Sequence, residues 1–364
     1  MGALSDLVIA DFSRVLAGPY ATMMLADFGA EVIKVERLGT GDDTRTWGPP
    51  FAADGTSTYF QSINRNKNSV TADLTTDAGI AIAHKIISRS SVVVENFAPG
   101  TMEKFGLGYE ELSRENPGLI YVAITGFGSG AKARELPGYD LLVQGMSGLM
   151  SITGEDSDHP TKVGVALIDV IAGLHAALAI TTALHHRAKS GQGQKIEVNL
   201  MSSALSAMVN QSTAFIGAGV VPNAMGNAHP SIAPYESFKA SDGHLIIAVG
   251  NDKQFALLLE VLNLRPDPRF ATNTERVKNR KELHELISQA LSTKTVKQWS
   301  AQLMAVGVPA GPILTIEGAI ETATNLGLQP VIDVAGSKTI ANPIIFSKTP
   351  VEYRKAPPSL GQDD

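Results

Sequence analysis

Along the first third of the chain, short apolar runs alternate with stretches whose apolar positions recur at helical spacing. Residues 7–12, 31–36, 69–74, 92–96 and 119–125 read as strands, and residues 19–28, 77–88 and 109–115 as helices. Pro19 opens the first helix and Gly29 closes it. Strand and helix in turn predict an α/β layer around a largely parallel sheet, because parallel neighbours need a crossover that a helix supplies. Helical patterns follow at 139–150 and 169–189. After the glycine-rich turn Ser190-Gly191-Gln192-Gly193 come a strand at 195–200 and an apolar helix at 201–216.

Near residue 221 the pattern breaks. Pro, Asn, Gly and His crowd into 221–234, which marks a crossing between domains. A strand at 244–249 and helices at 255–262, 281–291 and 296–305 then describe a smaller α/β unit. The tail from 316 carries one more helix and short strand-like pieces. The expected division is a large domain at 1–224, a small domain at 225–318, and a return to the large domain at 319–364.

The longest apolar stretch, 163–183, invites a membrane reading. Asp169 and His175 interrupt it, and an Asp at the centre of a bilayer costs about 3 kcal/mol on insertion scales. A core helix is expected instead, with no membrane partner. The first twelve residues lack a basic segment followed by a long apolar run, so no signal peptide is expected.

Composition narrows the function classes. With 44% hydrophobic and 18% charged residues the 364-residue chain is an ordinary globular sequence. A net charge of −6 and 6% aromatic residues, without basic–aromatic interleaving, argue against a nucleic-acid partner. The absence of cysteine excludes thiolate catalysis, disulfides and Cys-ligated metals, and suits a cytoplasmic location. The eight histidines show no metal-ligand spacing. After the first strand stands Val15-Leu16-Ala17-Gly18-Pro19 in place of the glycine fingerprint of dinucleotide binders.

Asp169 is the most informative side chain. It sits in Val165-Ala166-Leu167-Ile168-Asp169-Val170-Ile171, where a helix begins. One reading makes it a helix cap. The other makes it a carboxylate nucleophile, kept ionised by the helix dipole and shielded from water that would hydrolyse its acyl product.

A set of motifs bears on that choice. They are Ala17-Gly18-Pro19-Tyr20, Asp27-Phe28-Gly29-Ala30-Glu31-Val32-Ile33-Lys34-Val35-Glu36-Arg37, Gly41-Asp42-Asp43-Thr44-Arg45, Asn64-Arg65-Asn66-Lys67-Asn68-Ser69, Glu95-Asn96-Phe97, Gly138-Tyr139-Asp140, Ser190-Gly191-Gln192-Gly193-Gln194, Asp267-Pro268-Arg269-Phe270 and Pro309-Ala310-Gly311-Pro312. In this order and spacing the chain resembles the class III CoA-transferases, the family of formyl-CoA transferase, the carnitine CoA-transferases and the α-methylacyl-CoA racemases. The resemblance runs almost the whole length.

The resemblance implies a Rossmann-like large domain holding both chain ends, a smaller α/β domain, and two chains interlocked as a homodimer. It implies an acyl-CoA:carboxylate CoA-transferase with Asp169 as nucleophile, working through a mixed anhydride and an aspartyl-CoA thioester. The partners are then an acyl-CoA donor and a carboxylic acid acceptor. Coenzyme A is a substrate, with no permanently bound cofactor and no metal. By matching positions, Arg37 and Lys104 are candidate CoA contacts, with the backbone of Val15 and Leu16 close to the ligand. Asn96 and Phe97 are candidates because they follow a strand's C-terminal end, where α/β proteins place ligands, and Tyr139 and Asp140 are candidate second polar groups. Each cation also reads as a solvated surface charge, and Asp140 as a helix-start residue.

Two other readings stay open. Racemases need a base on each side of the α-carbon; those that the sequence resembles carry histidine where Tyr139 stands and a glutamate within the stretch that here reads Gly250-Asn251-Asp252-Lys253-Gln254-Phe255. A non-catalytic CoA-binding protein is the third reading. The glycine-rich loop of formyl-CoA transferases has no counterpart, so formyl or oxalate specificity is not expected.

Overall fold

The computed structural model describes residues 2–364. Its contacts group into two compact units, one of Met1–Leu149, Lys162–Val221 and Gly327–Asp364, the other of Met150–Thr161 and Pro222–Leu326. The segment Met150–Thr161 carries no compositional signal for the second unit.

The first unit is built from β1 (Val8–Asp11), α1 (Ala17–Asp27), β2 (Glu31–Glu36), α2 (Thr58–Ile63), β3 (Lys67–Thr71), α3 (Asp77–Ser88), β4 (Val92–Glu95), α4 (Thr101–Lys104), α5 (Tyr109–Glu115), β5 (Ile120–Thr125), α6 (Asp140–Met146), α7 (Leu167–Ser190), β6 (Gln194–Asn199), α8 (Leu200–Ala207) and α9 (Val209–Ala218). Six strands form one sheet in the order β3-β2-β1-β4-β5-β6. Every pairing is parallel. The central strands are apolar on both faces, as a sheet covered on both sides requires. Ile9, Val94, Ile120 and Val122 belong to a core shared with α1 and α7, and Ala10, Val93 and Tyr121 to a second core shared with α3 and α5. Each fully buried Val, Ile or Leu contributes about 1.5–3 kcal/mol.

The strand order reverses between β1 and β4. At such a switch point the loops leaving the two strands diverge, and ligands bind in the crevice beyond the strands' C-terminal ends. Here those loops begin at Phe12 and at Asn96, and a side chain ties them together: the Asn96 amide accepts the Arg14 N–H (2.8 Å) and donates to the Arg14 carbonyl (2.7 Å).

The helices depart from the sequence expectation in three instructive places. The α1 helix starts at Ala17, with Pro19 inside its first turn, where a backbone N–H has no intrahelical acceptor to lose. The expected single helix over 201–216 is two, α8 and α9, divided where Val209 takes φ +35°. The α7 helix spans 24 residues, and its buried side, Ile168, Ala172, Ala176, Ile180 and Ala183, joins the main core, while Leu178 on another side is 65% exposed.

In the second unit β7 (Tyr235–Lys239), β8 (His244–Ala248) and β9 (Ala310–Pro312) form an antiparallel sheet, with α10 (Asp252–Leu262), α11 (Asn273–Lys278), α12 (Arg280–Leu291), α13 (Val296–Ala305) and α14 (Ile316–Asn325) completing the unit. Phe238, Leu258, Ile287, Trp299 and Leu303 are in its separate core. Back in the first unit, β10 (Val331–Val334) and β11 (Ser337–Ile340) make a hairpin. The tail then reaches β3, where Asp363 N–H donates to the Ser69 carbonyl (2.9 Å) and the Asp364 carboxylate accepts the Thr71 N–H (2.6 Å). An edge strand whose polar groups are occupied in this way is a poor template for another chain.

Candidate active site

Two cavities lie at the switch point. The first, of about 300 Å³, is walled by Phe12, Arg14, Glu36, Arg37, Thr75, Phe97 and Phe105. The second, of about 310 Å³, is walled by Arg14, Val15, Leu16, Ala17, Asn96, Phe97, Arg134, Tyr139 and Asp169, with Asp43 at its edge. Arg14 and Phe97 belong to both walls. The Arg14 guanidinium lies over the Phe97 ring, 5.0 Å from its centroid, and 3.6 Å from the Asp43 carboxylate.

Of the residues singled out in the sequence, Val15, Leu16, Asn96, Phe97, Tyr139 and Asp169 meet in the second cavity, and Arg37 stands in the first. Lys104 is exposed at the end of α4 and is in neither wall, although Thr101 and Phe105 of the same turn are in the first. Asp140 is in neither wall. Arg14 and Arg134 were not anticipated. Their sequence surroundings, Ser13-Arg14-Val15 and Lys132-Ala133-Arg134, distinguish them from no other surface cation.

Asp169 is the third residue of α7 and does not cap it. The helix cap position is Ala166, which has no side chain to offer. The acceptor comes instead from Asp140 at the start of α6: its Oδ1 accepts the N–H groups of Ile168 (2.8 Å) and Asp169 (3.2 Å), while Gln144 Nε2 donates to its Oδ2 (2.6 Å). The helix dipole that is expected to keep Asp169 ionised at neutral pH is therefore shared with Asp140. The first-turn N–H groups already serve another carboxylate. Burial, with the Asp140 charge adding to it, pushes the Asp169 carboxyl up to about 7. Tyr59 of α2, also unanticipated, is pushed up to about 12 by burial and then by the charges of Asp169, Asp140 and Asp42. It stays a phenol near these carboxylates.

The loop after β1 has an unusual backbone. Val15 takes φ +68°, a left-handed conformation that costs a β-branched residue about 1–2 kcal/mol. A buried polar network surrounds it. The Asp11 carboxylate accepts from Ser13 N–H (3.0 Å), from the Ser13 hydroxyl, from Thr22 (2.6 Å) and from Lys67 Nζ (3.1 Å). Lys34 Nζ donates to the Ser13 carbonyl (2.8 Å) and pairs with Asp42 Oδ2 (2.8 Å). Lys34 and Lys67 are both fully buried. Burial drives Lys67 down to about 8 against the pull of Asp11, whereas at Lys34 burial is opposed by the charges of Asp42, Asp11 and Glu36 together, which hold its pKa above the ordinary value.

Glu95, the last residue of β4, accepts the Phe97 N–H (2.8 Å) and thereby shapes the shared wall of the cavities. Burial pushes its carboxyl up to about 8. Among the described residues, no group of three His, Asp or Glu side chains is placed to hold a metal ion.

The parallel α/β sheet thus carries paired cavities at its switch point, one with the buried Asp169 carboxyl in its wall and the other a mainly apolar slot with both cations and acids at its edge. The chain belongs to CoA-transferase family III, whose description matches residues 4–364. It is 43% identical to the succinate–glutarate CoA-transferase of Agrobacterium fabrum over 376 residues, covering 99% of this chain and 93% of that protein. It is 40% identical to the succinyl-CoA:glutarate CoA-transferase of Mus musculus, covering 100% of this chain and 85% of that one. A crystal structure of a CAIB/BAIF family protein from Brucella suis superposes with a TM-score of 0.89 at 41% identity, over 99% of this chain and 97% of its own. The protein is therefore a CoA-transferase that acts on CoA thioesters.

Proposed function

We propose that this CoA-transferase moves coenzyme A from an acyl-CoA donor to a small dicarboxylic acid, with Asp169 as the covalent carrier. The observation that carries the proposal is the placement of a desolvated carboxylate in the 310 Å³ cavity beyond the switch point. An Asp169 carboxyl at about 7 is substantially ionised near neutrality, and its poor solvation favours attack on a carbonyl.

In the proposed sequence an Asp169 oxygen attacks the thioester carbonyl carbon and the C–S bond breaks. A mixed anhydride and CoA thiolate result. The thiolate attacks the aspartyl carbonyl, releasing the donor acid and leaving an aspartyl-CoA thioester. The acceptor carboxylate then attacks that thioester, and CoA thiolate leaves again. A second anhydride results, and thiolate attack on its acceptor carbonyl gives the new acyl-CoA and restores Asp169. Each attack builds negative charge on a carbonyl oxygen. The first turn of α1, whose leading N–H groups lie ahead of the helix's own ladder, borders the cavity and is suited to receive it.

Arg37 and the aromatic walls of the first cavity suit the nucleotide of CoA, with Lys104 close by on α4. Arg14 and Arg134 supply charge for the far carboxylate of a dicarboxylic acceptor. The names of the two relatives, both acting on succinate and glutarate or their thioesters, support that acceptor class. The racemase alternative lacks a free second base, because the other carboxylate in the cavity wall, Asp43, lies beside Arg14. We further propose a homodimer, supported by the exposed apolar side chains Leu174 and Leu178 of α7 and Phe215 and Ile216 of α9.

The test is a panel of acyl-CoAs against mono- and dicarboxylic acceptors, followed by turnover of the best pair with acceptor labelled with oxygen-18 in its carboxylates. The peptide containing Asp169 should gain one labelled oxygen in a single turnover, a shift of about 2 Da, and approach two on repeated turnover. Turnover with no label on that peptide would overturn the covalent role.

A further inference from the structure

The left-handed turn at Val15 is held by Asp42 and Lys34, neither of which is in the wall of either cavity. Asp42 is fully buried, and its Oδ1 accepts three hydrogens: from Val15 N (3.3 Å), Thr44 N (3.0 Å) and Thr44 Oγ1 (2.8 Å). Its Oδ2 is paired with Lys34 Nζ, the same ammonium that donates to the Ser13 carbonyl. Its own N–H is fixed by Glu36 Oε2 (2.9 Å), and Glu36 in turn is gripped by the Arg45 fork at 2.8 and 2.6 Å.

These bonds fix the strained residue and the two residues before it. Lys34 holds Ser13, Asn96 holds Arg14, and Asp42 holds Val15 itself. Strain of this kind persists only where the surroundings over-determine it. A fully buried ion pair is also poorly explained as a source of stability, since apolar residues of similar volume usually do as well. The next residues, Leu16 and Ala17, border Asp169 in the second cavity.

We infer that Asp42, held by Lys34, is a positioning residue for CoA transfer: through the Val15 N–H it keeps the strained Arg14–Ala17 wall of the Asp169 cavity in its working conformation. The pair acts through the loop backbone and contacts no substrate. The inference rests on the reading of Asp169 as the nucleophile, and inactivity of Asp169→Ala tests that reading separately.

The pair is suited to a standing role. Burial works to raise the Asp42 carboxyl, but the Lys34 charge and the Thr44 hydrogen bonds outweigh it and bring the carboxyl to about 2. It stays an anion throughout the working range, and an anionic acceptor binds an N–H more firmly than a neutral one.

The discriminating experiment is a double-mutant cycle between Asp42→Ala and Val15→Gly, read as kcat with the best donor–acceptor pair from the panel above. Glycine adopts positive φ without the penalty a β-branched residue incurs, so a device that enforces that conformation matters less once glycine is there. Asp42→Ala should lower kcat about 30-fold in the native background and only about threefold beside Val15→Gly, a tenfold coupling of the size left-handed strain predicts. A device that merely stabilised the fold would lower the melting temperature in both backgrounds and show equal kcat losses. Equal losses, or a native-like kcat in the single variant, overturn the inference. If Asp42→Ala does not fold, amide exchange of the native enzyme carries the test. Val15 N–H should exchange at least about 100-fold slower than an unstructured amide, and exchange at the unstructured rate overturns it.

Discussion

The Asp140 carboxylate accepts the backbone N–H of Asp169 at 3.2 Å, so the two acids share the first turn of one helix. One takes the helix's free hydrogens, and the other is left with burial and a like-charged neighbour.

A pH profile should show this arrangement directly. Asp169 attacks only when ionised, so kcat/KM for the acyl-CoA should fall about tenfold per pH unit below about 7. Asp140→Asn keeps an oxygen to accept the two N–H groups but removes the charge. The midpoint should then move to lower pH, yet stay above the ordinary carboxylate value of 3.8, because burial is the larger cause and persists. An unmoved midpoint would show that Asp140 does not govern the nucleophile's charge.

The same raised value has a consequence for stability. Between 3.8 and about 7 the folded protein holds a proton on Asp169 that the unfolded chain gives up. Stability therefore declines as pH rises through this window, and the penalty is complete above about 7. The gap corresponds to at most about 4 kcal/mol, less for whatever water reaches the group. Asp169→Asn should abolish turnover, yet melt several degrees higher than the native protein at pH 8. At pH 4 the two should melt together. Calorimetric scans at both pH values check this, and an equal difference at both would contradict it.

Much of this fold was legible because buried parallel strands announce themselves. Val92-Val93-Val94 and Ile120-Tyr121-Val122 are apolar on both faces, and the structure places each in the sheet. Buried charges carry no such signal. Lys34 and Lys67 are both fully buried, because Asp42 and Asp11 meet them from other segments, and no local pattern announces those pairings. Asp169 drew attention as a charge at a helix start, but its cap partner lies 29 residues away, and no local pattern could name it. Arg14 was unreadable for a related reason. Its place is set by the reversal of strand order, which is a property of the sheet.

The two cations assigned to the CoA nucleotide should separate in their effects. Arg37 stands in the wall of the first cavity, while Lys104 is exposed outside it. Arg37→Ala should raise KM for the acyl-CoA about tenfold with kcat little changed, the loss of one charge-assisted contact of about 1.4 kcal/mol. Lys104→Ala should raise it about twofold, and that smaller effect should vanish at high salt as solvent screening predicts. Steady-state kinetics at two ionic strengths checks both, and a larger effect at Lys104 would move the nucleotide away from the first cavity.

The approach of α7 to α1 rests on a single missing side chain. At Gly173, one turn beyond Asp169 on the same face of the helix, an added Cβ would stand 2.6 Å from the Ala17 carbonyl oxygen and 3.3 Å from the Tyr20 ring. Two effects of Gly173→Ala oppose each other. Alanine favours the helix by about 1 kcal/mol. The clash falls on backbone, which cannot swing away, and overpacking of this kind costs about 1–3 kcal/mol. The clash should win, lowering the melting temperature by several degrees. Relief requires α7 to shift from the start of α1, which carries Asp169 away from the Leu16–Ala17 wall of its cavity. Misplacement of a reacting group by about 1 Å costs roughly 100-fold in rate. The variant should therefore lose kcat far more than its modest loss of stability suggests, with KM for the acyl-CoA nearly unchanged because Arg37 and the first cavity lie away from the crossing. Unchanged kcat in a folded Gly173→Ala protein would mean that the distance between these two helices does not set the chemistry.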